Sequence, residues 1–333
     1  MRKIFCHTRI FELSKWKRAG TKGKKEKEKF MINPFSEKYL TDRTDEKLVS
    51  EAVSGNRTAL EELILRHQAW IYNISLRMVW DPQDAKDLTQ EILIKIITKL
   101  DTFKGESHFR TWVYRIAANH VINMKKRKYE QVFQSFSQYS RSIRETPDMD
   151  FPDEEHTPAD IQMIIDETRI GCMLGMIMCL DREQRLVFIL GEVFGVTDKI
   201  GSEILEISRD NFRKKLSRAR HSLNRFMNQE CGLINPENRC LCTRKAKAMM
   251  DEGTINLHRL RFSDNYVYRI KQVAEVKNRL LGDYLEKKSR QLFRDHPFQN
   301  SPDFVRSFRD MFTDPEFRDI FNLKAGKGGH DVN

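Results

Sequence analysis

The chain is poor in the features that mark an enzyme, a secreted protein or a membrane protein. Among its 333 residues there are only 6 cysteines, 9 prolines and 15 glycines. No disulfide framework is expected, and the cysteines read as thiols or metal ligands of a cytosolic protein. Few helix breakers leave long uninterrupted segments. The phosphate-cradling GxxxxGK[ST], the zinc-protease HExxH and the hydrolase GxSxG are absent, and GKGG near the C-terminus is a tail without a following helix. No enzymatic role is expected. The longest apolar stretch, Cys172 to Leu180, is far below the ~18 residues that span a bilayer. The opening MRKIFCHTRIFELSKWKRAG has neither a compact apolar core nor a small-residue cleavage site, so it does not read as a secretory signal.

Cationic charge is abundant. A net charge of +11 and a pI near 9.3 call for a polyanionic partner. The charge concentrates in Phe194–Met227, which reads as a short helix, a tight turn and a second helix carrying Arg209, Arg213, Lys214, Lys215, Arg218, Arg220 and Arg225. Its apolar residues Ile207, Phe212, Leu216, Ala219 and Leu223 recur at three- and four-residue steps, so one face can be buried while the others stay basic. A helix of that kind after a short helix and turn suits the DNA major groove. The plainer reading is a solvated surface helix.

An all-α fold is expected, with five regions. Residues 1–35 form a basic tail containing KGKKEKEK, and Met31 offers an alternative start. Residues 36–128 read as four helices with short connections. Asp45 can cap the first, the second runs from about Thr58 to Val79, the third from Asp84 to Leu100, and the fourth from about Ser107 to Lys126. Residues 129–160 hold Pro147, Pro152 and Pro158 with an acidic cluster, and read as a flexible linker. Residues 161–229 form a second helical domain. Residues 230–333 are a mostly helical extension that begins with cysteines and contains a long amphipathic stretch, about Tyr266 to Leu292.

Two stretches of the first domain carry chemistry. In DAKDLTQEILIKIITKL, Leu88, Ile92, Ile96 and Leu100 mark a buried face, while Asp84, Asp87, Gln90 and Glu91 gather on another. An acidic face in so basic a chain suits a basic protein partner, or is simply solvated. In FKGESHFRTWVYRIAANHVINMKKRK, aromatics interleave with Lys104, Arg110 and Arg115, and Asn119 and Asn123 share a face. Cations hold phosphates, amides read base edges, and aromatic rings accept unstacked bases. Trp112, Ile116 and Phe109 also fit a core.

These blocks, DAKDLTQE followed by FRTWVYRIAANHVIN, closely resemble the promoter-melting domain of bacterial RNA polymerase sigma factors. Cys179 to Met227 resembles their promoter-distal helix-turn-helix domain. The segment between is too short for a middle domain, so the resemblance is to the two-domain extracytoplasmic-function group. It implies promoter-specific transcription initiation with core RNA polymerase and promoter DNA as partners, room for an anti-sigma factor, and no membrane partner. Asp84, Asp87, Gln90 and Glu91 match the polymerase-docking face. The Phe103–Phe109 loop matches the segment that captures a flipped minus-ten base, and Arg115, Asn119 and Asn123 match the helix on the minus-ten element; Phe103, Lys104, Phe109, Arg110 and Lys126 join them in the expected minus-ten DNA-binding set. Arg209, Asn211, Arg213, Lys214 and Arg218 match the helix on the minus-thirty-five element. Asn123 stands where the family usually has Asp. Gly201 replaces a branched apolar residue, which should loosen its helix by up to ~1 kcal/mol. Ser208 replaces the usual Pro-containing turn and can still cap the helix.

Cys231, Cys240 and Cys242, spaced by eight residues and then one, could ligate zinc with His258 as a fourth ligand; the spacing departs from paired C-x-x-C sites, so a plain structural role stays open. The alternative function is a stand-alone helix-turn-helix regulator that senses metal or thiol state through that cluster.

Overall fold

The computed structural model describes residues 33–36, 44–151, 158–262, 294 and 301–305. All named elements among them are helical, with one isolated bridge pairing Cys231 with Cys240. The basic tail before residue 33, acidic residues Asp153 to Glu155 and the stretch Tyr266–Leu292 lie outside the described residues.

The first unit is built from α1 (Thr44–Val53), α2 (Arg57–Val79), α3 (Pro82–Thr98) and α4 (Phe109–Asn123). The apolar stripe predicted for α2, including Leu60, Leu63, Ile64, Ile71, Ile74 and Met78, is fully buried. Two sequence expectations need correction. The third helix, expected from Asp84 to Leu100, runs instead from Pro82 to Thr98, since Asp81 caps it by accepting from the Gln83 and Asp84 amides and Pro82 occupies its first turn. Asp45 lies inside α1 and is no cap. Its buried carboxylate meets Arg66 Nε at 2.5 Å and His67 Nε2 at 2.8 Å. Burial pushes that carboxyl up, but His67 and Arg66 together outweigh it and hold it below the usual range.

The tract read as a linker contributes two helices, α5 (Lys128–Val132) and α6 (Phe136–Glu145). The second unit follows as α7 (Pro158–Met178), α8 (Arg182–Phe188), a π-helical turn (Ile189–Val193), α9 (Asp198–Leu205) and α10 (Arg209–Glu230). The extension adds α11 (Cys242–Asp251), which packs on α7 through Ile164, Ile165, Ala246, Ile255 and Leu260.

One hydrophobic core runs through both units. Phe194, after the π-helical turn, lies with its ring centroid 5.1 Å from Trp70 on α2 and 6.1 Å from Phe35. Trp80 Nε1 donates to the Gly171 carbonyl at 2.9 Å, and Arg261 lies over the Trp80 ring. Glu130 on α5 is a second tie. Arg182 binds its carboxylate at 2.7 Å and Arg185 at 3.2 Å. Arg185 also donates to the carbonyls of Met78, Met178 and Leu180. Burial pushes the Glu130 carboxyl up, but Arg182, the Arg127 amide and Arg185 overcome this and lower it.

Candidate nucleic-acid and polymerase interfaces

The helix-turn-helix forms as its sequence specifies. Thr197 caps α9 and Ser208 caps α10, its hydroxyl accepting from the Asn211 amide at 3.2 Å. Glu206, between them, adopts a left-handed conformation at φ 55°. Phe212, Leu216, Ala219 and Leu223 are buried, and Ile207 is half-buried. The expectation that Gly201 loosens α9 is incomplete. A Cβ there would lie 2.3 Å from the Phe212 ring, so glycine is what lets α9 approach α10.

Arg209, Asn211, Lys214 and Arg218 are exposed on α10. Arg213 is exposed but engaged, 3.1 Å from Asp198 and 3.0 Å from Asp210. Lys215 pairs with Glu183, and Arg220 with the buried Glu192, each at 2.5 Å. The apparent cationic uniformity of α10 thus divides into a structural side and a solvent-facing side.

The minus-ten set divides as well. Phe109 is 1% exposed and stacks on Trp112 with centroids 5.6 Å apart. Arg110 is equally buried and donates to the Pro34 carbonyl at 2.6 Å. Neither presents a surface to DNA here, because both are spent on the core and on anchoring residues 34–36. Phe103 is half-buried edge-on to Phe109, with Lys104 exposed beside it. Asn119, Asn123 and Lys126 are exposed. Asn119 and Asn123 line an open groove with Lys95, Lys99, Ile116, His120 and Met124. The two lysines come from the end of α3 and were not singled out in the sequence. Their only signal was a four-residue step on the side of α3 away from its core. Arg115 is only partly accessible, because its Nη2 donates to the Glu203 carbonyl at 2.9 Å and its Nε lies 3.4 Å from Glu206. Helix α9 thereby covers part of the face to which α4 contributes Arg115.

On α3, Asp87 is exposed and accepts from Gln83, and Gln90 is half-buried. Partial burial and then repulsion from Asp81 push the Asp84 carboxyl up. Glu91 is a strut rather than a free carboxylate. It meets His120 Nε2 and Arg127 Nη2, each at 2.9 Å. Those contacts outweigh its partial burial and lower its carboxyl. Ile94 follows one turn on from Gln90 and Glu91 and remains 37% exposed. It is an apolar addition to the acidic face that periodicity alone did not separate from the core residues around it.

Cys231 is buried, Cys172 on α7, Cys240 and Cys242 are half-buried, and an isolated bridge pairs the backbones of Cys231 and Cys240. Burial, then repulsion among the thiols, pushes Cys231 up to about 11 and Cys240 up to about 12. Among the described residues no group of three or more His, Cys, Asp or Glu side chains is arranged to hold a metal ion. The predicted Cys231, Cys240 and Cys242 set is therefore not assembled as ligands here, and the His258 side chain lies outside the described residues.

Residues 63–130 match the family description Sigma-70 region 2. The chain is 26% identical over 193 residues to the RNA polymerase sigma-H factor of Pseudomonas aeruginosa, covering 56% of this chain and 96% of that one. These similarities support an RNA polymerase sigma factor of the extracytoplasmic-function type. Over a shorter stretch of 80 residues this sigma factor is 39% identical to the extracytoplasmic-function sigma-E factor of Escherichia coli, covering 24% of this chain and 41% of that one. A solved structure of CnrH in complex with the cytosolic domain of CnrY is similar at a TM-score of 0.39 and 20% identity, covering 56% of this chain and 97% of that one. No helix among the described residues is long and apolar enough to cross a membrane.

Proposed function

We propose that this sigma factor binds core RNA polymerase through α3 and reads two promoter elements, one with α10 and one with the groove beside α4. The chain performs no covalent chemistry. It acts in the cytoplasm and supplies two weak DNA modules, which the polymerase tethers into one selective reader. A good base contact contributes ~1–3 kcal/mol of discrimination, so neither module selects promoters by itself, and tethering raises the effective concentration of the second.

The observation that carries this reading is the patch on one face of α3 where exposed Asp87 and exposed Ile94 flank the half-buried Gln90, in a chain of net charge +11. A stand-alone metal- or thiol-sensing regulator leaves that patch idle, and nothing favours it.

Asp87→Lys combined with Ile94→Ala should abolish co-purification with core polymerase while leaving the helical circular dichroism unchanged. Undiminished capture by a variant of unchanged helicity would count against the patch. Glu91 is unsuited to this test because its removal also unpairs His120 and Arg127.

A further inference from the structure

We infer that Phe304, seated on α2, and Arg294, on Glu192 of the second unit, act together as an intramolecular clasp that holds the two units in the arrangement where α9 covers Arg115 on α4. The inference rests on the proposed reading of α4 as a DNA-facing helix.

Phe304 is completely buried and Val305 nearly so, both within the core shared by the two units. The Phe304 amide donates to Gln68 Oε1 at 3.1 Å, and its ring centroid lies 6.4 Å from that of Tyr72. Gln68 and Tyr72 are one turn apart on α2, so the anchor engages the promoter-melting unit through a directional hydrogen bond as well as apolar contact. Ten residues earlier, Arg294 reaches the other unit. Its Nε lies 3.3 Å from the Glu192 carbonyl oxygen and 3.4 Å from Glu192 Oε1. The Glu192 side chain has no solvent exposure, so its charge is satisfied by Arg220 and by this arriving cation. Arg294 and Phe304, ten positions apart in sequence, therefore engage different units.

A tether that favours the closed form lowers apparent DNA affinity by the fraction of molecules that are open. Removing it raises affinity proportionally even when the closed form still dominates, so a gain of binding reports the clasp, whereas a loss of binding would report only damage. The face on α3 stays accessible throughout. The closed molecule can thus meet polymerase before it can hold a melted strand.

The test is fluorescence anisotropy of the full chain with a labelled AT-rich single-stranded oligonucleotide. Phe304→Ala and, from the other side of the contact, Gln68→Ala should each tighten binding roughly three- to tenfold. The gain should vanish when either is combined with Arg115→Ala, whereas Phe304→Leu should behave as the parent. Unchanged or weaker binding by both alanine variants would overturn the clasp, as would a gain that survives loss of Arg115. Capture of core polymerase by the parent chain, measured in parallel, tests the sigma reading separately. Its failure would leave the anisotropy result standing as evidence of closure alone.

Discussion

Two helices of this sigma factor face nucleic acid on the proposed reading, and they are kept in opposite states. Helix α10 offers Arg209, Lys214 and Arg218 to solvent. Helix α4 has Arg115 tied to the backbone and side chain of α9, while Phe109 and Arg110 are withdrawn into the core. Their sequences look equally suited to DNA. The difference arises from what packs against each, and packing between distant segments is invisible in local charge. Availability for binding is therefore a property of the closed arrangement, and composition reports only the capacity.

The comparison can be broken most severely at Glu130, the carboxylate that joins the linker helix to Arg182 and Arg185. Glu130→Ala strands two partly or fully buried guanidinium groups, and urea denaturation at pH 7 should register a loss of ~3–5 kcal/mol. The carboxyl is held below its ordinary value in the fold. Its contribution is thus present above the unfolded-state pKa and is lost as pH falls through the folded one. The gap between parent and variant should narrow below about pH 4.5. A gap that widens with acid would contradict the ion-pair account.

A smaller effect is expected in the extension. With thiols pushed to about 11 and about 12, Cys231 and Cys240 carry little thiolate near neutrality. Iodoacetamide at pH 8 should label them roughly two orders of magnitude more slowly than an unfolded thiol, followed by peptide mass spectrometry. Prompt labelling in the folded chain would show that this region is far more open than described.

Gly201→Ala sharpens the contrast within the second unit. Alanine gains up to ~1 kcal/mol of helix propensity, but its Cβ would meet the buried Phe212 ring at 2.3 Å. Overpacking of ~1–3 kcal/mol should win, so the melting temperature should fall. A rise would mean that the ring can move aside at little cost. The mildest test compares two arginines of α10. Arg213 already has two acidic partners. Arg213→Ala should therefore weaken promoter-dependent transcription less than Arg218→Ala, by a margin of under ~1 kcal/mol. Equal losses in a run-off assay would show that those partners are released on DNA.

Much of this was legible in the sequence. The stripe on α2, the face of α3 and the buried side of α10 follow from spacing, and Ser208 caps as its position suggests. Asp45 was misread because a carboxylate near a helix start fits a cap, and only the fold brings Arg66 and His67 to it. Arg110, a cation in an aromatic, basic tract, reads locally as a phosphate ligand, whereas the fold buries it. Its partner is a carbonyl 76 positions away in sequence. The linker looked flexible because its prolines and acids are local features, whereas Glu130 gains its role from arginines more than 50 positions further on. In each miss the decisive partner is remote, and periodicity carries no information about it.

Arg185 has a wider consequence. Its guanidinium gathers the last carbonyls of two long helices from different units, with a carboxylate from the segment between them. Separating the units along that seam would leave a dehydrated cation facing empty acceptors. Spontaneous parting should therefore be a rare excursion for the isolated molecule. The transcription machinery would then have to act as a wedge as well as a platform, supplying from its own contacts the work of prising this seam apart.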